Sequence, residues 1–288
     1  MINFDFFYAL ILRAIVSNGY DSVNRRTGER VLNLQGGTSI YFFIDNTMPL
    51  ISGRKTYPKT MAAEVAWYLK GTQDVRWLQK YAKMWDLFVE DDGFTVKNAY
   101  GYRWRNHFGR DQLKLAVDTL AEDWTSRQAV ISAWDPSSDG LGNKDKNVPC
   151  PAVFTFNIKP GELGTEYLYL HTSLFLRSSD FIVGLPYDIG GHALLMDAFC
   201  QSLSPRLDQT LKLGTVHASL ADAHIYGSHL SIAGEMLEDY DPKQIKMPLP
   251  GWSIEEIEKD PDGYVEYVGE LAKDVDWPSF NPRPPIIK

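Results

Sequence analysis

Three side chains in this 288-residue chain are placed to do chemistry. They are a cysteine between two prolines, a glutamate alone among apolar residues, and an aspartate after a Leu-Pro-Tyr run. Cys150 stands in Pro149-Cys150-Pro151. The proline that follows pushes Cys150 to an extended backbone, outside a helix. A thiol on such a loop–strand junction is more accessible than one in a helix core, and nearby positive charge makes it a nucleophile. Arg177 is the candidate cation. Cys200, in Ala198-Phe199-Cys200, reads as a buried structural thiol. Glu64 is the only charged residue in Met61–Leu69, so it lies either on a narrow exposed stripe or buried. If buried, its pKa rises and it can relay protons near neutrality. Asp188 closes the run Arg177-Ser-Ser-Asp-Phe-Ile-Val-Gly-Leu-Pro-Tyr-Asp and precedes the apolar stretch from Ala193. Taken locally, it is a turn or helix N-cap residue.

Other chemistries find little support. His224 and His229, if placed on one helix, are rotated apart by about 140°. There is no HExxH and no CxxC, so no metal site is expected. Arg25-Arg26-Thr27-Gly28 is a basic turn, and no glycine-rich phosphate loop is present. Lys and Arg number 29 against 37 Asp and Glu, a net charge of -8 with no basic block. That disfavours a broad surface for nucleic acid or membrane but leaves room for an arginine pocket around one phosphate. Two cysteines make no disulfide framework and fit a reducing, cytoplasmic compartment. The apolar run Phe6–Leu12 is too short to span a bilayer and reads as a buried first helix.

The elements that must position these groups read as α+β. Helices are expected at 3–18, 59–70, 75–88, 111–124, about 192–203 and about 227–237. Strands are expected at 31–34, 39–44, 129–134, 153–158, 167–175 and 215–221. Phe154, Phe156 and Ile158 share one strand face at period two. Residues from Asp276 read as an extended, proline-rich tail. No linker-like composition splits residues 1–288, so one domain is expected.

In order along the chain, these features resemble the thymidylate synthase superfamily over nearly the whole sequence from about residue 20. Arg26-Thr27-Gly28 resembles its early phosphate-binding turn. Glu64, in Ala-Glu-Val-Ala-Trp-Tyr-Leu-Lys-Gly, matches its catalytic glutamate, and Trp85 an active-site tryptophan. Tyr100-Gly-Tyr-Arg-Trp-Arg105 resembles Tyr-Gly-x-x-Trp-Arg. Ser126-Arg127, followed by Ile131-Ser-Ala-Trp134, resembles the segment that reaches a partner's phosphate. Cys150 matches the nucleophile. The resemblance gives Arg177 and Ser178 to phosphate, Asp180, Gly184 and Trp85 to folate, and His224 and Tyr226 to the sugar hydroxyl. It further implies a large mixed β-sheet flanked by helices, a sheet-to-sheet homodimer with Arg127 acting in trans, and 5,10-methylenetetrahydrofolate as co-substrate. Gln128, Leu176, Pro151 and Asp188 depart from the family pattern, and the usual apolar end is not apparent.

Asp188 takes the place of the family's uracil-reading Asn. Uracil offers an N3–H donor and an O4 acceptor, which a side-chain amide matches. Cytosine reverses both, and a protonated carboxyl matches it. Each buried mismatch costs roughly 1–3 kcal/mol. The resemblance therefore implies dCMP as substrate and 5-hydroxymethyl-dCMP as product. The absent apolar end favours water entry, whereas Trp85 is associated with the methylating branch. The alternatives are 5-methyl-dCMP with dihydrofolate, a CMP hydroxymethylase, and a non-catalytic scaffold.

Overall fold

The computed structural model describes residues 3–25, 28–140, 142, 145–161, 166–238 and 240–278. Helix α1 (Phe4–Asn18) starts under Asn3, whose side chain accepts from the Phe6 N–H at 3.0 Å, and stops at Gly19. Strands β1 (Tyr20–Val23), β2 (Arg30–Asn33) and β3 (Thr38–Phe43) follow. Helix α2 (Pro58–Leu69) opens on proline at its first position, where no N–H is needed. It closes at Gly71, whose φ of 63° suits glycine. A short helical turn, α3 (Tyr100–Tyr102), continues as a wider π-helical turn over Arg103–His107. Helix α4 (Gln112–Glu122) is capped by Asp111. Then come β4 (Val130–Ser132), β5 (Pro151–Pro160), β6 (Tyr167–Leu176), the two-residue β7 (Ser179–Asp180) and the long α5 (Gly184–Leu203). Strands β8 (Thr210–Leu220) and β9 (Ala223–Tyr226) precede α6 (Leu230–Glu238), α7 (Ile254–Lys259) and α8 (Pro261–Leu271).

The α+β class holds, but the strands form two sheets rather than one large one. Five run in the order β3-β8-β6-β5-β4 and four in the order β1-β2-β9-β7. Both are mixed, with β6 parallel to β8 and β7 parallel to β9. Period-two alternation gives the five-stranded sheet one buried face, including Phe154, Phe156, Leu170, Leu174, Val216 and Ile40. Helix α5 packs on that face and is apolar on nearly every side, as a helix enclosed by other elements must be. The opposite face keeps Tyr41, Tyr167 and Phe175 exposed.

The two sheets meet where the chain crosses twice, side by side. Strand β6 passes into β7 through Arg177 and Ser178, and β8 passes into β9 through Ala221 and Asp222. The crossings are stitched by Ala221 N–H to Leu176 O at 2.9 Å and Ser179 N–H to Asp222 O at 2.8 Å.

Three local expectations change. Residues 75–88 form two 3-10 turns, Leu78–Lys80 and Met84–Phe88, instead of one helix. The Asp74–Thr95 bridge ties the start of this segment, and side-chain hydrogen bonds draw Trp77 and Tyr81 to Asp262 and Trp85 to Glu64. Helix α5 begins eight residues earlier than its apolar run suggested, because Pro186 falls in its first turn, where proline is tolerated. Asp188 is consequently a helix-interior residue; the N-cap position belongs to Val183. Among the described residues no helix is long and apolar enough to cross a membrane.

Candidate active site

Cys150 lies immediately before β5, at the seam between the sheets. A bulge between Pro151 and Val153 offsets the register of β5 against β6 just past the cysteine. Arg177, where β6 leaves its sheet, holds this corner. Its Nε donates to Pro149 O at 2.7 Å and its Nη2 to Val148 O at 2.8 Å, with Nη2 3.7 Å from the Cys150 sulfur. The Arg177 N–H also donates to Cys150 O at 3.0 Å. A guanidinium against the sulfur is the surrounding a thiolate needs. Cys200 is buried in α5, and burial pushes its thiol up to about 12, so it keeps its inert role.

The loop leading to Cys150 is clasped by the α3 turn. Arg103, 1 % exposed, donates to Asn98 Oδ1 at 2.6 Å and Asp139 Oδ1 at 2.9 Å. Asn98 in turn donates to Asn147 O at 2.8 Å. From the same turn, the Tyr100 hydroxyl meets the Cys150 backbone N–H; burial, and then the charges of the cysteine and Asp188, raise its pKa.

Glu64 is buried, which resolves the choice left by its sequence. Its Oε1 accepts from Trp85 Nε1 at 2.5 Å and from the Tyr68 hydroxyl at 3.5 Å. Desolvation outweighs these two donors and lifts the carboxyl to about 7. Trp85 is itself 5 % exposed, enclosed by Trp67, Tyr68, Phe88 and Tyr100.

Asp188 lies one turn inside α5. Burial raises its carboxyl to about 8, with further contributions from the charges of Glu64 and Asp180. Among the described residues no protein group donates a hydrogen bond to it. Gly184 faces it directly: a Cβ there would lie 3.8 Å from Asp188 Oδ2 and 3.5 Å from Asp180 Cβ. The Asp180 Oδ1 accepts from the N–H groups of Ile182 and Val183 at 3.2 and 3.1 Å, which fixes the entry into α5. Arg54 holds the same entry by donating to Ile182 O.

On the second crossing, His224 pairs with Asp180 across β9 and β7. Its ring centroid lies 5.1 Å from that of Tyr226, and its Nδ1 is 3.3 Å from Asp222 O. The two histidines weighed as a pair are not on a helix: His224 is in β9 and His229 ends a 3-10 turn. No metal-binding cluster occurs among the described residues.

The fold thus gathers Cys150, Arg177, Ser178, Asp180, Gly184, Asp188, His224 and Tyr226 along the seam, with Glu64 and Trp85 reaching in from α2 and the 3-10 turn. Arg127 is not brought there. Ala129 bonds to Phe156, so the exposed Arg127 lies beyond the sixth residue of β5 after Cys150, roughly 20 Å along the strand. Arg26 lies outside the described residues. Tyr100, Arg103 and Arg54 carry no role that their types and spacing alone point to. The spacing of Tyr68 does point to one, since it stands four residues after Glu64 on one helix face.

The sequence profile of the thymidylate synthase family matches residues 7–268. A thymidylate synthase of Corynebacterium aurimucosum is 28% identical over 238 residues, covering 80% of this chain and 81% of that protein.

Proposed function

Since the chain belongs to the thymidylate synthase family, we propose that it carries out folate-dependent one-carbon transfer to C5 of dCMP, giving 5-hydroxymethyl-dCMP. The observation that carries the base choice is Asp188: a carboxyl without a hydrogen-bond donor among the described residues, held protonated to about 8 by burial and by Glu64. A neutral acid donates to N3 of cytosine and accepts from its N4 amino group, whereas uracil meets it with the wrong donor and the wrong acceptor.

The Cys150 thiolate adds to C6, and the electron pair moves toward C5 and N3. The Asp188 O–H donation to N3 stabilises that charge. Bound 5,10-methylenetetrahydrofolate supplies the carbon that C5 takes up. Asp180 and Gly184, beside Asp188, would hold it, while the buried Trp85 acts through Glu64. After the C5 proton and the folate amine leave, water adds to the exocyclic methylene and gives its proton to Glu64. Expulsion of Cys150 then restores the ring. Carbon, oxygen and electrons balance as dCMP, methylenetetrahydrofolate and water giving hydroxymethyl-dCMP and tetrahydrofolate. Arg177 and Ser178 would take the phosphate, with His224 and Tyr226 on the sugar hydroxyl.

The uncovered sheet face, with exposed Tyr41, Tyr167 and Phe175, supports a homodimer joined face to face, in which Arg127 would serve the partner's site. A second reading is methylation, with hydride from the folate giving 5-methyl-dCMP and dihydrofolate; Trp85 against Glu64 favours it. Incubation with methylenetetrahydrofolate and dCMP, CMP or dUMP, followed by product mass spectrometry, tests all of these. Hydroxymethyl-dCMP is expected. Methyl-dCMP with stoichiometric dihydrofolate overturns the product, and turnover of dUMP alone overturns the base.

A further inference from the structure

Glu64 and Asp188 are two buried acids close enough for the charge of one to act on the other, and their surroundings differ in kind. Glu64 receives two donors, the Trp85 indole at 2.5 Å and the Tyr68 hydroxyl at 3.5 Å. Asp188 receives none among the described residues. The Tyr68 hydroxyl lies within the field of both carboxyls and of Tyr100. Its ring is wedged by Trp104 at 5.3 Å and Tyr100 at 5.5 Å, so its direction is set by packing. The packing is close: a Cβ on Gly101 would fall 2.0 Å from the Tyr68 carbonyl oxygen, so the α3 turn lies directly on the Tyr68 backbone.

We propose that Tyr68 is a positioning residue for base choice: its hydroxyl, with the Trp85 N–H, keeps Glu64 as the ionised member of the pair and thereby keeps the proton on Asp188. Donors stabilise a carboxylate over a carboxylic acid. An ionised Glu64 then repels a second negative charge, so Asp188 retains its proton to higher pH. The remaining groups facing Asp188 are Asp180 from β7, which acts in the same direction, and Tyr100 from α3. Cys150 and the Arg177 beside it act in turn on Tyr100. Without the Tyr68 hydroxyl, Glu64 protonates more readily, its charge is lost from beside Asp188, and Asp188 ionises at lower pH. The consequence for base choice rests on the cytosine reading; the proton placement does not.

The test is a carbon-13 NMR titration of the aspartate carboxyls in the ligand-free enzyme, with the Asp188 signal identified by its loss in Asp188→Asn. Glu64→Gln removes the charge and should lower the Asp188 midpoint by about one pH unit or more. Tyr68→Phe should lower it in the same direction by less, and should add nothing further in the Glu64→Gln background. An unmoved Asp188 midpoint in folded Tyr68→Phe overturns the proposal. So does an unmoved midpoint in Glu64→Gln, the deciding arm if Tyr68→Phe does not fold. Binding of dCMP and dUMP to the wild type, measured separately, addresses the cytosine reading: preference for dUMP sinks that reading and leaves the titration result standing.

Discussion

Asp139 meets Arg103 at 2.9 Å with both side chains out of reach of solvent. The pair anchors Asp139, and Asn98, which accepts from the same Arg103, ties down Asn147, three residues before Cys150. Removing one member of a buried ion pair strands the other, at a cost of roughly 3–5 kcal/mol. Arg103→Met should therefore lower the free energy of unfolding, read from urea denaturation, by about that amount. Replacing Arg103 and Asp139 together with apolar residues should recover part of the loss.

The two cysteines should separate by chemistry. Iodoacetamide near neutral pH is expected to label Cys150, beside Arg177, and to leave Cys200, whose thiol burial pushes up to about 12. Peptide mass spectrometry reads the sites. Cys150→Ser should abolish turnover with the fold retained, and retained activity would remove the thiol from the mechanism.

Stability should fall with rising pH because of two buried acids. Glu64 and Asp188 are raised from 4.5 and 3.8 to about 7 and about 8, so the folded protein binds more protons than the unfolded chain between those values. Their contribution is complete below the unfolded values and is lost as pH rises through the folded ones. Glu64→Gln and Asp188→Asn should each flatten this loss, raising stability at about pH 8 by on the order of 1 kcal/mol or more. Chemical denaturation at a series of pH values checks it, and unchanged slopes in both variants would show that neither acid is raised.

Asp180 should be separable into a structural and a charge role. Its Oδ1 accepts from two backbone N–H groups at the entry to α5. Asp180→Ala should cost about 1–2 kcal/mol, in the range of lost helix-start acceptors. Asp180→Asn retains an acceptor and should cost less. Equal losses in thermal denaturation would contradict this division.

Much of the candidate site was legible because it lies in the local sequence. Proline on both sides of Cys150 placed it outside a helix, and the apolar run around Glu64 left burial as one of two choices. Long-range contacts were not legible. The Asp188 capping reading failed because α5 starts at Gly184 with Val183 as its N-cap and Pro186 inside its first turn. The helix expected over 75–88 failed because Trp77 and Tyr81 turn to Asp262 and Trp85 to Glu64, partners distant in sequence. Period two found the strands but could not show that β2 and β3, four residues apart, enter different sheets.

The paired crossings between the sheets give the site a mechanical character. Arg177 and Ser178 on one crossing and Asp222 on the other connect the same two sheets, so the angle between the sheets sets the span from Cys150 to His224. A nucleotide gripped at both ends would act as a brace across a joint. Its binding should then slow hydrogen exchange at the stitching amides of Ser179, Phe181 and Ala221, which no ligand atom needs to touch.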